Sequence, residues 1–258
     1  MIKEFKANNL DVKVYPTRAH MGIEAAELAA EKIKELLSEK DDLNIVFAAA
    51  PSQNEFLKAL KLKANVDWNK INAFHMDEYI GLDKVAPQGF GNFLKARIFD
   101  ELPFKSVHYL NGSTENADGE CNRYAALLQQ HPVDIVFMGI GENGHLAFND
   151  PPVADFNDPK LVKIVELDEV CRQQQVNDGC FNSIEDVPLR ALTLTLPCLI
   201  SADYIFCMVP GPTKAQAVKN TVIQAIKEEY PSTILRTHPN AILFVDQDSG
   251  NLIYEHAE

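Results

Sequence analysis

An open, mostly parallel α/β sheet with helices on both faces, in three αβα layers, is the fold class that this sequence predicts. Three observations predict it: short apolar runs dense enough for strands buried on both faces, helix-spaced apolar residues between them, and small-residue turns after several runs. The first run covers 12–15; Ile23, Ala26, Ala30, Ile33 and Leu37 then recur at helical spacing, and 44–50 is a second strand. The rhythm continues with a helix over 54–62, a strand over 71–76, a helix over 89–98, a short strand over 106–110, a helix over 117–130 and a strand over 133–138. Beyond a glycine-rich loop come a strand over 162–167, a helix starting at Asp168, strands over 191–196 and 204–209, a helix from Thr213 and a closing strand over 241–245. Successive βαβ units of this kind build a Rossmann-like sheet. No Gly/Ser linker, internal repeat or low-complexity tract interrupts the series, so residues 1–258 read as one domain.

Composition excludes several function classes. The chain has 24 Lys plus Arg against 37 Asp plus Glu, a formal charge of −13, which disfavours a nucleic-acid or anionic-membrane surface. A bound phosphate therefore needs a local cationic pocket. The N-terminus lacks the apolar core of a signal peptide, and no run of about 18 apolar residues could span a bilayer, so a cytoplasmic location is expected. Five cysteines, at 121, 171, 180, 198 and 207, form no Cys-x-x-Cys pair and no metal-ligand pattern; reduced thiols and no metal site are expected.

Chemistry concentrates at four strand ends. The most informative is 138–150, Met-Gly-Ile-Gly-Glu-Asn-Gly-His-Leu-Ala-Phe-Asn-Asp, where glycines 139, 141 and 144 permit close backbone approach and His145 stands at the carboxyl end of a buried strand. Its spacing formally matches a dinucleotide fingerprint, but it lies mid-chain and is not followed by a phosphate-cradling helix, so no nucleotide cofactor is expected. At 74–79, Asp77 and Glu78 follow another strand; neighbouring side chains of an extended segment point opposite ways, so one acid can face a pocket as a base while the other braces the scaffold. The turn Ala48-Ala49-Ala50-Pro51-Ser52-Gln53 leads into a helix whose N–H groups suit an anion. At 209–214, Thr213 and Lys214 open another helix; a cation there opposes the helix dipole and points to an anionic ligand.

Together these residues make the chain resemble the glucosamine-6-phosphate deaminase (isomerase) family, which shares its fold with the 6-phosphogluconolactonases. The resemblance spans nearly the whole chain and rests on Met76-Asp-Glu-Tyr79 with Gly81-Leu82, on Gly139-Ile-Gly-Glu-Asn-Gly-His145-Leu-Ala-Phe-Asn-Asp150, on Ala191-Leu-Thr193 and on His238-Pro239. Ala147-Phe148-Asn149 is similar to the deaminase branch rather than the lactonase branch. The resemblance implies a cofactor-independent aldose-ketose isomerisation of an amino-sugar phosphate with loss of ammonia. Asp77 matches the proton-shuttling base, His145 the residue assisting ring opening, and Asn143 and Asp150 the positions that orient the histidine. Ala50, Pro51, Ser52, Gln53, Gly141 and Lys214 match the substrate and phosphate site, but the usual Gly-rich loop is replaced by alanines and the family's phosphate arginine has no counterpart; Arg236 is the candidate substitute. Two alternatives stay open, a 6-phosphogluconolactonase-like hydrolase and a non-catalytic sugar-phosphate sensor. The family also leaves a homo-oligomer open.

Overall fold

A computed structural model describes residues 1–253. In chain order the elements are β1 (Lys3–Ala7), β2 (Leu10–Tyr15), α1 (Arg18–Leu37), β3 (Leu43–Phe47), α2 (Asn54–Leu60), β4 (Ile71–His75), β5 (Asp77–Tyr79), α3 (Phe90–Leu94), β6 (Ser106–His108), α4 (Ala117–Gln130) and β7 (Ile135–Met138). They continue with β8 (Val162–Glu166), α5 (Glu169–Asn177), β9 (Arg190–Leu194), α6 (Leu196–Ile200), β10 (Tyr204–Val209), α7 (Ala215–Ile223) and β11 (Ala241–Asp246). Eight strands form one sheet in the order β1-β2-β11-β10-β7-β3-β4-β6, all parallel except the β1–β2 hairpin. The mostly parallel α/β class is therefore as the sequence predicts.

The strands read as continuous apolar runs because both faces are covered. In β3 and β7, Ile45, Phe47, Ile135 and Phe137 pack into one core with the alanine-rich face of α1, while Val46, Val136 and Met138 pack into the other with Val218 of α7. Thr17 caps α1 by accepting from the His20 N–H. Gly22 lets α1 meet α2 closely: a Cβ there would stand 2.7 Å from the Glu55 Cβ. That contact sets the N-terminus of α1 beside the turn preceding α2.

Three expectations change. The buried stripe of α1 runs through Met21, Ala25, Ala26, Ala29, Ala30, Ile33 and Leu36, leaving the predicted Ile23 exposed. The helix predicted over 89–98 is α3 followed by a π-helical turn, Lys95–Phe99. The strands over 77–79, 162–166 and 190–194 form a separate antiparallel sheet, ordered β5-β9-β8, with Asp77 paired to Thr193 and Tyr79 to Ala191. No helix among the described residues is long and apolar enough to cross a membrane.

The sheet order fixes the site. From β3 the chain moves outward to β4 and β6, then returns to place β7 on the other side of β3, next to β10. Such a reversal opens a crevice at the carboxyl ends of parallel strands. The turns after β3, β7 and β10 meet there, and β5 of the small sheet closes one wall.

Candidate active site

A cavity of about 210 Å³ fills that crevice, with Asp77, His145, Ser52 and Lys214 among its lining residues. The two neighbouring acids divide as extended geometry requires. Asp77 faces the cavity, whereas Glu78 turns back and accepts the N–H groups of Tyr79 (3.0 Å), Phe90 (3.0 Å) and Gly91 (2.8 Å). Beneath them His75 is wholly buried; its Nε2 accepts the Leu110 N–H (3.0 Å), leaving Nδ1–H to donate to the Asp77 carbonyl (2.9 Å). Burial, and then the charge of Glu78, hold the Asp77 carboxyl well above the usual carboxylate range.

His145 is oriented by two residues that stand behind it rather than in the cavity wall. Its Nδ1 lies 2.8 Å from Asn143 Oδ1 and 2.9 Å from Asp150 Oδ1, and Asn143 Nδ2 donates to the same Asp150 oxygen at 2.8 Å. Asn143 Oδ1 also accepts the His145 N–H at 3.0 Å, so the amide orientation follows from the network. Both groups facing Nδ1 are acceptors, which puts the proton on Nδ1 and leaves the Nε2 lone pair free. Burial alone would raise the Asp150 carboxyl, but His145 and the hydrogen bonds around it outweigh that and lower it. The ring lies directly on Gly141, where an added Cβ would come within 2.1–2.3 Å of its atoms. Ala147, also in the lining, sits at φ 50°, a left-handed conformation that non-glycine residues hold only where their surroundings enforce it.

Cys171 of α5 adjoins this pair, and His145, Asp150 and Cys171 offer ligand atoms within 4.8 Å of one another. The donor set fits a metal poorly. Nδ1–H is already shared by two oxygens, and burial followed by the Asp150 charge pushes the thiol well above its ordinary pKa, away from the thiolate that a metal requires. All five cysteines are free thiols.

The other end of the cavity is cationic. Lys214 is 6% exposed and its ammonium makes no ion pair or hydrogen bond among the described residues; burial lowers its pKa. An unpaired buried cation in a cavity wall is a receptor for an anion. Gly211 at φ 97° turns the chain out of β10 and delivers Pro212, Thr213 and Lys214 to the cavity opposite Ala50, Pro51 and Ser52. Gln53, expected in this wall, instead points beneath it, where Nε2 reaches Ser52 Oγ (3.1 Å) and the carbonyls of Met208 (3.3 Å) and Met138 (3.4 Å). It ties the ends of β10 and β7 together under the loop.

Arg236 does not substitute for the missing arginine. It lies outside the cavity, with Nη1 and Nη2 each donating at 2.6 Å to the carbonyls of Val222 and Gln224 at the end of α7. Arg172 likewise serves the Val187 and Ile184 carbonyls. The arginine that lines the cavity is Arg18, the first residue of α1. Glu55 holds it through Nε (2.7 Å) and Nη2 (2.9 Å), and Nη2 also reaches the Pro51 carbonyl at 3.2 Å. Nothing local in the sequence distinguishes Arg18 from a solvated helix charge; the Gly22 contact that brings α1 against α2 is its only trace. Gln174, Gln175 and Asp178 of the α5 region complete the wall and were equally silent.

Comparisons with known proteins match nearly the whole chain. The model of the family described as glucosamine-6-phosphate isomerases/6-phosphogluconolactonase matches residues 16–244. A glucosamine-6-phosphate deaminase of Bacillus cereus (strain G9842) is 34% identical over 232 residues, 90% of this chain and 86% of its own length. The protein of the same name in Bacillus anthracis (strain A0248) is equally similar, at 34% over 232 residues. Among solved structures, a monomeric glucosamine-6-phosphate deaminase aligns with TM-score 0.84 and 28% identity over 93% of this chain and 99% of its own. A 6-phosphogluconolactonase from Shewanella baltica OS155, with TM-score 0.74 and 14% identity over 91% and 96% of the two chains, shares the fold.

Proposed function

The chain belongs to the family of glucosamine-6-phosphate isomerases and 6-phosphogluconolactonases, and from that premise we propose that it converts glucosamine 6-phosphate to fructose 6-phosphate and ammonia. The observation that carries the reading is the shared cavity: a base-type carboxyl and a histidine with a free nitrogen at one end, an unpaired buried ammonium at the other. Ala147-Phe148-Asn149 and the names of the relatives favour isomerisation with loss of ammonia over lactone hydrolysis.

In this reading Lys214, Ser52, Thr213 and the backbone N–H of Ala50 hold the phosphate, with Pro51 shaping the turn and Arg18 in place of the arginine expected elsewhere. The phosphate anchors the sugar so that C1 and C2 lie against Asp77 and His145, converting binding energy into orientation. His145 Nε2 takes the proton of the C1 hydroxyl and returns it to the ring oxygen, which opens the ring; Asn143 and Asp150 keep the tautomer that can do this. Asp77 then removes the C2 hydrogen as a proton while O1 gains one, giving the enolamine, and delivers the C2 proton to C1 while the amino group gives one up. The resulting C2 imine adds water and expels ammonia. Proton transfer is the only chemistry asked of the protein, so no cofactor enters. Burial suits Asp77 to it, since a carboxyl with a raised pKa is a stronger base than a free carboxylate and can both accept and return the proton.

Both sheets contribute to one cavity, which supports reading residues 1–258 as one functional domain. Free thiols and a phosphorylated substrate suit the cytoplasm. Ammonia release and fructose 6-phosphate formation from glucosamine 6-phosphate, with galactosamine 6-phosphate and 6-phosphogluconolactone run in parallel, test the reading. Turnover of an amino sugar supports it; turnover of the lactone alone replaces it with hydrolysis.

A further inference from the structure

One face of α5 runs from the catalytic end of the cavity to its cationic end. Cys171, Gln175 and Asp178 occupy positions i, i+4 and i+7, which stack along one side of a helix. Cys171 lies within 4.8 Å of Asp150, the partner of His145, and Asp178 lies near enough to Lys214 for their charges to interact. Gln175 stands between them, about 6 Å along the axis from Cys171 and about 4.5 Å from Asp178. It lines the cavity, is only 8% exposed, and its side-chain amide makes no hydrogen bond among the described residues. Its neighbour Gln174 is different: Oε1 accepts the Glu142 N–H at 2.8 Å and Nε2 reaches Asp178 at 3.4 Å. The Gln175 amide is without a protein partner yet not sealed off, so it opens onto the cavity, where what fills it supplies the hydrogen bonds.

A sugar phosphate with its phosphate at Lys214 and its C1–C2 end at Asp77 and His145 lays its middle carbons along this stretch of α5. We propose that Gln175 reads the hydroxyls on C3 and C4, donating through Nε2 and accepting through Oε1, and thereby sets which hexosamine phosphate epimer the site accepts. The proposal rests on the sugar-phosphate reading above. An amide suits the task because it can pair with a hydroxyl in either role, and a misplaced hydroxyl leaves one of its groups buried and unpaired.

Calorimetric binding of three open-chain hexitol 6-phosphates tests it without requiring turnover. Glucitol 6-phosphate is compared with galactitol 6-phosphate, which differs at C4, and allitol 6-phosphate, which differs at C3. Q175M keeps the length of the side chain and removes its donor and acceptor; Q175E keeps the acceptor and carries the test if Q175M fails to fold. At least one epimer preference of the wild type should fall by about tenfold in Q175M, the worth of one neutral hydrogen bond. Q175E should shift the same preference, with the thermal midpoint held. Binding with both ratios unchanged in the folded variants overturns the role of Gln175 alone. Absence of binding by wild type to all three overturns the sugar-phosphate reading and this proposal with it.

Discussion

His145 Nδ1 and Asp150 Oδ1 lie 2.9 Å apart, and Asp150 is 1% exposed. That pairing, shared with Asn143, fixes which imidazole nitrogen carries the proton. Asp150→Ala removes the ionised acceptor and should lower kcat about 10–100-fold, the usual effect of losing a partner behind a functional histidine, with little change in KM. Steady-state kinetics on cyclic glucosamine 6-phosphate checks this; a rise in KM alone would mean that Asp150 serves binding.

Gly141→Ala should be more damaging than its size suggests. The added Cβ would stand 2.1–2.3 Å from the His145 ring, closer than any real contact, so the ring must leave its place over the loop. Activity should fall by at least the factor seen for Asp150→Ala. Near-wild-type activity would show that the ring need not sit there.

Asp77 carries a stability signature as well as a catalytic one. Its folded-state pKa is raised, by burial first and Glu78 second, so the folded protein holds this proton to higher pH than the unfolded chain does. Stability is therefore lost as pH rises from the ordinary carboxylate range through the raised value, and the loss persists at neutral pH. Asp77→Asn should abolish turnover yet melt higher than wild type at neutral pH, the advantage disappearing below pH about 4. Thermal melts across pH read this directly, and a variant that melts lower at neutral pH would contradict the burial argument.

Lys214 behaves in the mirror sense. Its pKa is lowered by burial, so the buried ammonium penalises the folded state below that value, including at neutral pH, and the penalty fades as pH rises through it. Lys214→Met should stabilise the free protein at neutral pH while raising KM and weakening inorganic phosphate binding, because a phosphate handle contributes mainly uniform binding. Inorganic phosphate should raise the melting temperature of wild type more than that of the variant. Equal shifts would remove Lys214 from the anion site.

Arg18→Gln tests the second cation. Its guanidinium is held on Glu55 and the Pro51 carbonyl, at the edge of the same turn. KM should rise by about tenfold with kcat retained, the scale of losing one charge-assisted hydrogen bond of about 1.5 kcal/mol. The effect should vanish with unphosphorylated glucosamine as substrate. A loss of kcat with KM unchanged would place Arg18 outside phosphate binding.

The legible parts of fold and site are those set by short-range pattern. Strands β3, β7 and β10 could be read because burial on both faces leaves an unbroken apolar run, and Lys214 because a cation at a helix start is locally unfavourable. The antiparallel sheet could not be read: 191–194 is as apolar as a parallel strand, and its partners, β5 and β8, are chosen by long-range register. Arg18 and Gln175 escaped for the same reason. An arginine opening a helix and a glutamine within one look like solvated surface until packing of α1 on α2 sets the still-exposed Arg18 at the rim of the cavity and α5 brings Gln175 into its wall. Arg236 failed in the opposite direction, since an arginine near the end of the chain had no visible partners in sequence but has the Val222 and Gln224 carbonyls in space.

Solvent isotope exchange tests the central claim, that Asp77 carries a proton between C1 and C2, most directly. Fructose 6-phosphate is incubated with ammonium in D2O, and deuterium at C1 is followed by NMR for wild type and Asp77→Asn. Wild type should exchange one of the two C1 hydrogens stereospecifically, and Asp77→Asn should exchange neither while still binding the sugar phosphate. Undiminished exchange in Asp77→Asn would contradict the account.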